Sequence, residues 1–455
     1  MIAAIRRQVR PMLDLALPLV LAEVGWMCMG IVDTIMVGRL PNSAVAIGAV
    51  SLGGALYYTT AIFGSGLLLG LDTLVAHAFG RDDLDDANRS LIASLWLALA
   101  LTPALMTVIW MWTPVMRRFG VAPDVVREMG PFLNALNWGT LPLLVYFAAR
   151  RYLQAVNIVK PVTFALISAN IVNLVANWVL IYGHWGAKAY GVPGSGWSTL
   201  MARLWMAGVL AVTLLVANRG NRLRLSSVSP RPDAARMRRL MALGGPAATQ
   251  ILLEAGVFSA ATALAGKLGP MALAGHQIAL NCASFTFMVP LGISSAAAVR
   301  VGQNLGRGDP RTAREAGWTA IALGAGFMGA MALLFVSAPR LIARVFSPDP
   351  AVVRTGAALL LIAAVFQLFD GMQVVATGTL RGLGDTRTPM LANLAAYWVI
   401  GLPLGWVLTF KMGWGAAGLW TGLCIGLILV GSVLVLAWET KIKAESAVSA
   451  ARSAV

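Results

Sequence analysis

The chain has 455 residues, 58% of them apolar and only 12% charged, against about one quarter charged in an ordinary globular domain. Mean hydropathy is +0.76. This composition excludes a water-soluble enzyme, and it excludes a nucleic-acid reader despite a net charge of +16 and a pI near 10.7. The bases stand between apolar runs, where polytopic membrane proteins collect them. At ~20 residues per crossing, the apolar content suffices for about a dozen spans.

In chain order, Arg6, Arg7 and Arg10 precede an apolar stretch that resembles a secretory leader at first sight. It runs too long and lacks a small-residue cleavage site, so it reads as a first membrane helix. Charges, glycines and prolines then divide the chain into twelve expected spans: 12–38, 46–76, 90–113, 130–154, 161–183, 195–218, 240–266, 272–303, 314–338, 352–378, 388–410 and 415–438. Sheets with open edges cannot cross a bilayer and these runs are too long for barrel strands, so all twelve are expected to be helices. Cys28, Cys282 and Cys424 lie in apolar stretches without ligand spacing and read as small buried residues, forming neither a disulfide framework nor a metal site.

Basic residues in alternate loops set the orientation. The side that carries the N-terminus has 24 and the opposite side 10, which places both termini in the cytoplasm. The richest loop, 219–239, contains seven arginines with Pro230 and Pro232 and reads as a cytoplasmic linker. It separates an N-terminal lobe, 1–218, from a C-terminal lobe, 240–438, which a tail, 439–455, follows. A repeat at an offset of 228 supports that division: Pro18 matches Pro246, Gly38 matches Gly266, Pro161 matches Pro389, and Trp178-Val179-Leu180 matches Trp406-Val407-Leu408. Six spans per half make the repeat parallel. The expected fold is therefore an all-α polytopic membrane protein, with two six-helix repeats around a central cavity, the usual build of an alternating-access transporter.

Five of the 19 acids fall within spans: Glu23, Asp33, Asp72, Glu254 and Asp370. A carboxylate at the bilayer centre costs at least ~2.5 kcal/mol, so such residues usually line cavities or ion paths. Glu254 in span seven and Asp370 in span ten are flanked by apolar turns and belong to one half, so they are expected to face one cavity as a coupling site. Asp33 is the candidate in the other half. Glu23 lies ten residues before it, ~15 Å along the axis and roughly 80° around the helix, and need not share its site. Asp72, near the end of span two, is expected to be solvated or interfacial. Asn170, Asn173 and Asn177 share one face of span five, either as interhelical glue or as cavity lining. In span eight, Gln277 and Asn281 share a face that can reach a cavity, while His276 reads as a packing residue. Three scattered histidines supply no metal cluster. The repeat doubles the scaffold and not the chemistry, since Asn173, Asn177 and Asp370 correspond to Gly401, Gly405 and Pro142.

At these residues the chain resembles the multidrug and toxin extrusion (MATE) family, in its bacterial NorM branch. The stretches that carry the likeness are Val32-Asp33-Thr34-Ile35-Met36-Val37-Gly38, Asn177-Trp178 to Tyr182-Gly183, Gly275-His276-Gln277-Ile278-Ala279-Leu280-Asn281, Val299-Arg300-Val301-Gly302 and Asp370-Gly371-Met372-Gln373-Val374-Val375 to Gly378-Thr379-Leu380-Arg381-Gly382. The resemblance implies a multi-pass inner-membrane exporter, not an enzyme, in which entry of Na⁺ or H⁺ drives efflux of organic cations without a cofactor. The family's cation-site acids map onto Glu254 and Asp370, the place for any bound Na⁺, with Gln277 and Asn281 nearby. A second site maps onto Asp33, Asn173 and Asn177. Phe366 stands where relatives can carry a tyrosine, and Glu23 is outside the pattern. A monomer with organic cations and the lipid bilayer as its partners is expected. A flippase for lipid-linked oligosaccharides is the alternative, but it needs a basic cavity, and Arg203 is the main base within a span. A multispanning enzyme would need clustered His, Asp or Cys at a membrane face.

Overall fold

A computed structural model describes residues 2–220 and 222–453. Met1, Ala454 and Val455, at the ends of the expected N-terminal lobe and C-terminal tail, and Asn221 in the expected linker lie outside the described residues. No strand occurs among the described residues. The helices are α1 (Ile2–Val37), α2 (Ser43–Leu67), α3 (Gly70–Gly80), α4 (Leu84–Arg118), α5 (Pro123–Asn137), α6 (Thr140–Ala155), α7 (Lys160–Tyr182) and α8 (Val192–Arg219). After the linker come α9 (Ala234–Gly266), α10 (Pro270–Gly306), α11 (Pro310–Ser337), α12 (Pro339–Phe346), α13 (Pro350–Leu383), α14 (Arg387–Asn393), α15 (Leu402–Trp406) and α16 (Gly415–Ser453). The π-helical segment Leu394–Gly401 joins α14 to α15, and a second, Val407–Lys411, continues α15, so that the four make one span.

Eleven stretches are long and apolar enough to cross a membrane, and α5 with α6, bent by 46° at their junction, make a twelfth. Local chemistry sets the helix starts. Proline occupies the first turn of α5, α7, α8 and α10 to α13, where its missing N–H is not needed. Asp83, Asp309 and Asp349 cap α4, α11 and α13, each accepting a backbone N–H at 2.8–2.9 Å.

The chain forms two compact units, Met1–Val20 with Thr249–Val455, and Leu21–Ala248. Their boundaries lie inside α1 and α9, two residues beyond the repeat-related Pro18 and Pro246, and are themselves 228 residues apart. The linker chosen from sequence, 219–239, lies wholly within the second unit. There the acidic first turn of α4 holds it: Ser227 Oγ donates to Asp85 at 2.6 Å and Arg236 Nη1 to Asp86 at 2.6 Å. Asn88 and Trp96 donate to the Leu223 and Pro230 carbonyls at 2.6 and 2.8 Å.

In the second unit Val37, Tyr57, Ile109, Met129 and Leu133 form part of one buried core joining α1, α2, α4 and α5. In the first unit α10 and α13 pack closely, with Ser294 Oγ donating to the Val374 carbonyl at 2.7 Å. Asp385, in the turn after α13, accepts from the Lys441 ammonium and from the Arg387 and Thr388 amides. Burial alone would raise its carboxyl, but these donors hold it below the usual carboxylate range. Cys282 and Cys424 are buried, whereas Cys28 is exposed, contrary to the expectation from its apolar surroundings. A small apolar thiol on a membrane helix needs no protein cover.

Candidate functional site

Each unit contains a polar constellation built on intramembrane carboxylates. In the second unit, the amide stripe of α7 turns towards α1. Asn173 and Asn177 are fully buried and donate to Asp33 Oδ1 at 3.1 and 2.6 Å. Asn177 also donates to Asn173 Oδ1 at 3.1 Å, which fixes the orientation of both amides. Thr199 Oγ1, from α8, donates to Asp33 Oδ2 at 3.0 Å. The carboxylate therefore accepts from three neutral side chains, an arrangement suited to its ionised form. A proton on Oδ2 would reverse the Thr199 bond, with the carboxyl donating to the hydroxyl, and would weaken the two amide bonds by removing the charge they serve. Thr199 carries no charge or period that a sequence reading could single out. The third amide of the stripe, Asn170, serves as glue instead, donating to the Gly25 carbonyl at 3.0 Å.

Two other acids of this unit have guanidinium partners. Glu23 is ion-paired with Arg150 on α6, both well buried. Asp72 is 1% exposed and paired with Arg151 at 3.3 Å, so the expectation of a solvated position is incorrect. The chain does not reach water after α2, because it breaks only at residues 68–69 and continues as the buried α3. Arg150 and Arg151, which the loop count placed on the cytoplasmic side, are intramembrane bases alongside Arg203, and their charges are met by these two acids.

In the first unit, Glu254 on α9 and Asp370 on α13 come within electrostatic reach of each other. Neither has an ion-pair partner among the described residues. The buried Gln373, one turn beyond Asp370, lies near Glu254, and neither atom of its amide has a hydrogen-bond partner among the described residues. An aromatic layer lies one turn from each acid: Phe258 meets Phe366 edge-on at 6.0 Å and Tyr397 at 6.3 Å. Phe366 meets Trp420 at 5.7 Å. Tyr397, from a π-helical segment, is fully buried, its hydroxyl has no hydrogen-bond partner among the described residues, and both carboxylates act on it. Its neighbour Trp398 donates to the Leu253 carbonyl at 3.0 Å, pinning that segment beside Glu254. A sequence reading cannot find Tyr397, because π-helical turns shift which residues share a face.

Gln277 is half-buried and Asn281 exposed, and neither shares a hydrogen bond with Glu254 or Asp370 among the described residues. His276 is fully buried between Thr262, at 2.9 Å, and the Trp420 indole N–H, at 3.1 Å, which makes it a packing residue. Among the described residues no three His, Cys, Asp or Glu side chains converge to hold a metal ion. A cation at Glu254 and Asp370 would instead meet two carboxylates and neutral oxygens.

The family model MatE matches residues 18–179 and again 246–407, two stretches offset by the same 228 residues as the internal repeat. A relative from Brucella suis biovar 1, a probable multidrug resistance protein NorM, is 37% identical over 448 residues, covering 96% of this chain and 94% of its own. The multidrug resistance protein PmpM of Pseudomonas aeruginosa is 35% identical over 431 residues, covering 93% of this chain and 89% of its own. Among solved structures, the eukaryotic MATE transporter AtDTX14 superposes with a TM-score of 0.86 at 20% identity, covering 98% of this chain and all of that one.

Proposed function

Because the chain belongs to the MatE family, we propose that it is a secondary active multidrug exporter that moves cationic or amphiphilic organic compounds out of the cell by alternating access, against inward Na⁺ or H⁺. The observation that carries this reading is the Glu254–Asp370 pair. Two carboxylates in a largely apolar wall need a positive partner, and among the described residues none pairs with them. A coupling cation or proton supplies what the fold omits. Asp33, with its ring of Asn173, Asn177 and Thr199, is the second coupling position, since loss of its charge forces those donors to rearrange. Gln277 and Asn281 extend the polar lining on the α10 side.

We place the protein in the cell inner membrane with both termini cytoplasmic, on the distribution of basic residues, which stays at 22 to 10 once Arg150 and Arg151 are taken out of the cytoplasmic count. Exchange of one cation for one monocationic drug moves no net charge. Each additional inward charge contributes ~2.3 kcal/mol at 100 mV, so stoichiometry sets the attainable drug gradient. The reading is tested by drug uptake into inside-out vesicles with Na⁺ and pH gradients imposed separately. One of the two gradients is expected to drive uptake in the absence of nucleotide. Uptake driven by neither would contradict it.

A further inference from the structure

Arg203 is 1% exposed on α8, one turn beyond the Thr199 that donates to Asp33. Its Nη1 donates to Tyr57 Oη at 2.6 Å and to the Leu136 carbonyl at 3.2 Å, and its guanidinium lies 4.5 Å over the Tyr57 ring. All these partners are neutral. Among the described residues no carboxylate lies within ion-pair distance of Arg203, whereas Arg150 and Arg151 have Glu23 and Asp72. Its charge also reaches the Asp33 carboxylate, to which the Thr199 hydroxyl one turn earlier donates. The pocket is built for it: a Cβ at Gly139, in the break between α5 and α6, would stand 2.9 Å from Nη1 and 3.0 Å from Cδ.

The in-span acids Glu23, Asp33 and Asp72 of the second unit are thus matched by three arginines of its helices: Glu23 with Arg150, Asp72 with Arg151, and Asp33 with Arg203. The third pair differs, because its acid is the proposed coupling group and its base does not touch it. Arginine does not lose its proton in proteins. We infer that Arg203 is the fixed counter-charge of Asp33: when Asp33 is neutralised, an unopposed positive charge remains beside the site and drives a bound organic cation out. This inference rests on the role proposed for Asp33. It assigns Arg203 an electrostatic task performed without contact with substrate. The other unit lacks the device, since the repeat places Gly431 opposite Arg203. There the two acids attract a cation, whereas here neutralisation repels one.

A purely structural Arg203 would only cap the Leu136 carbonyl at the helix break, so the test must separate charge from shape. Dissociation constants for tetraphenylphosphonium and for neutral triphenylphosphine oxide are measured on the full-length protein in nanodiscs. The variants are D33N, R203Q, R203K and the doubles D33N/R203Q and D33N/R203K. D33N is expected to weaken the cation tenfold or more, the order expected for unit charges several ångström apart at an effective dielectric of about 20. D33N/R203Q should return it to within threefold of wild type, while D33N/R203K stays as weak as D33N. The neutral probe should shift less than twofold throughout. If the Gln variant fails to fold, R203M of similar volume replaces it. A D33N/R203Q protein as weak as D33N, or a parallel loss of the neutral probe, overturns the inference. A D33N protein with unchanged cation affinity instead removes Asp33 from the parent reading, so the two failures are told apart.

Discussion

Glu23 and Arg150 are 127 residues apart in the chain and form one buried pair in the fold. Spacing along α1 shows only that Glu23 lies on a different face from Asp33, and its partner is invisible until α6 is placed. Breaking such a pair leaves a buried charge uncompensated and costs about 3–5 kcal/mol, whereas replacing both members with apolar residues is often nearly neutral. E23Q is therefore expected to lower thermal stability in detergent strongly, and E23L/R150M to recover most of the loss. A double variant no more stable than E23Q would show that the pair is not the relevant partner. Asp33 was more legible. Its acid stood inside a span, and Asn173 and Asn177 shared one face of theirs, so both halves of the contact could be read. Only their meeting, and Thr199, required the fold. Asp72 was misplaced because a sequence position near a span end suggests water, while the break before α3 keeps the chain inside.

The same repeat positions serve ligation in one unit and packing in the other. Asn173 and Asn177 hold Asp33, whereas their counterparts Gly401 and Gly405 let α16 approach the α14–α15 span. A Cβ at Gly422 of α16 would fall 2.3 Å from the Gly405 Cα, which no side chain tolerates without backbone movement. G422A is expected to cost about 1–3 kcal/mol by overpacking. The check is a lowered melting temperature in detergent, and an unchanged one would mean that the two helices separate without penalty. Helix starts are set by proline and aspartate as local chemistry, a few residues ahead of the expected spans, and in principle are legible in the sequence. The π-helical turns were not, since their register depends on what α9 and α16 place against them. Tyr397 is therefore hidden in the sequence, whereas Glu254 and Asp370 stand out as acids within apolar spans.

Across the whole chain, one number recurs. The offset of 228 relates the matched prolines, the two stretches of the family model, and the two points at which the compact units divide. Twelve spans follow from the apolar runs and the doubled scaffold from matched residues at the offset of 228, so both are legible in the sequence. The division inside α1 and α9 was not, because a loop rich in arginine and proline resembles a boundary whether or not the fold uses it. In this protein the acidic residues in the first turn of α4 fasten that loop to the second unit. Charge is distributed just as unevenly. Most bases orient the chain, three arginines within the helices match acids in the second unit, and Glu254 with Asp370 have no ion-pair partner among the described residues of the first. The claim that these two carboxylates couple ion entry to export is tested most directly by ion-driven drug uptake in vesicles carrying E254Q or D370N. Each variant should insert at wild-type levels and lose at least tenfold in gradient-driven uptake, whereas unimpaired uptake by both would contradict the account.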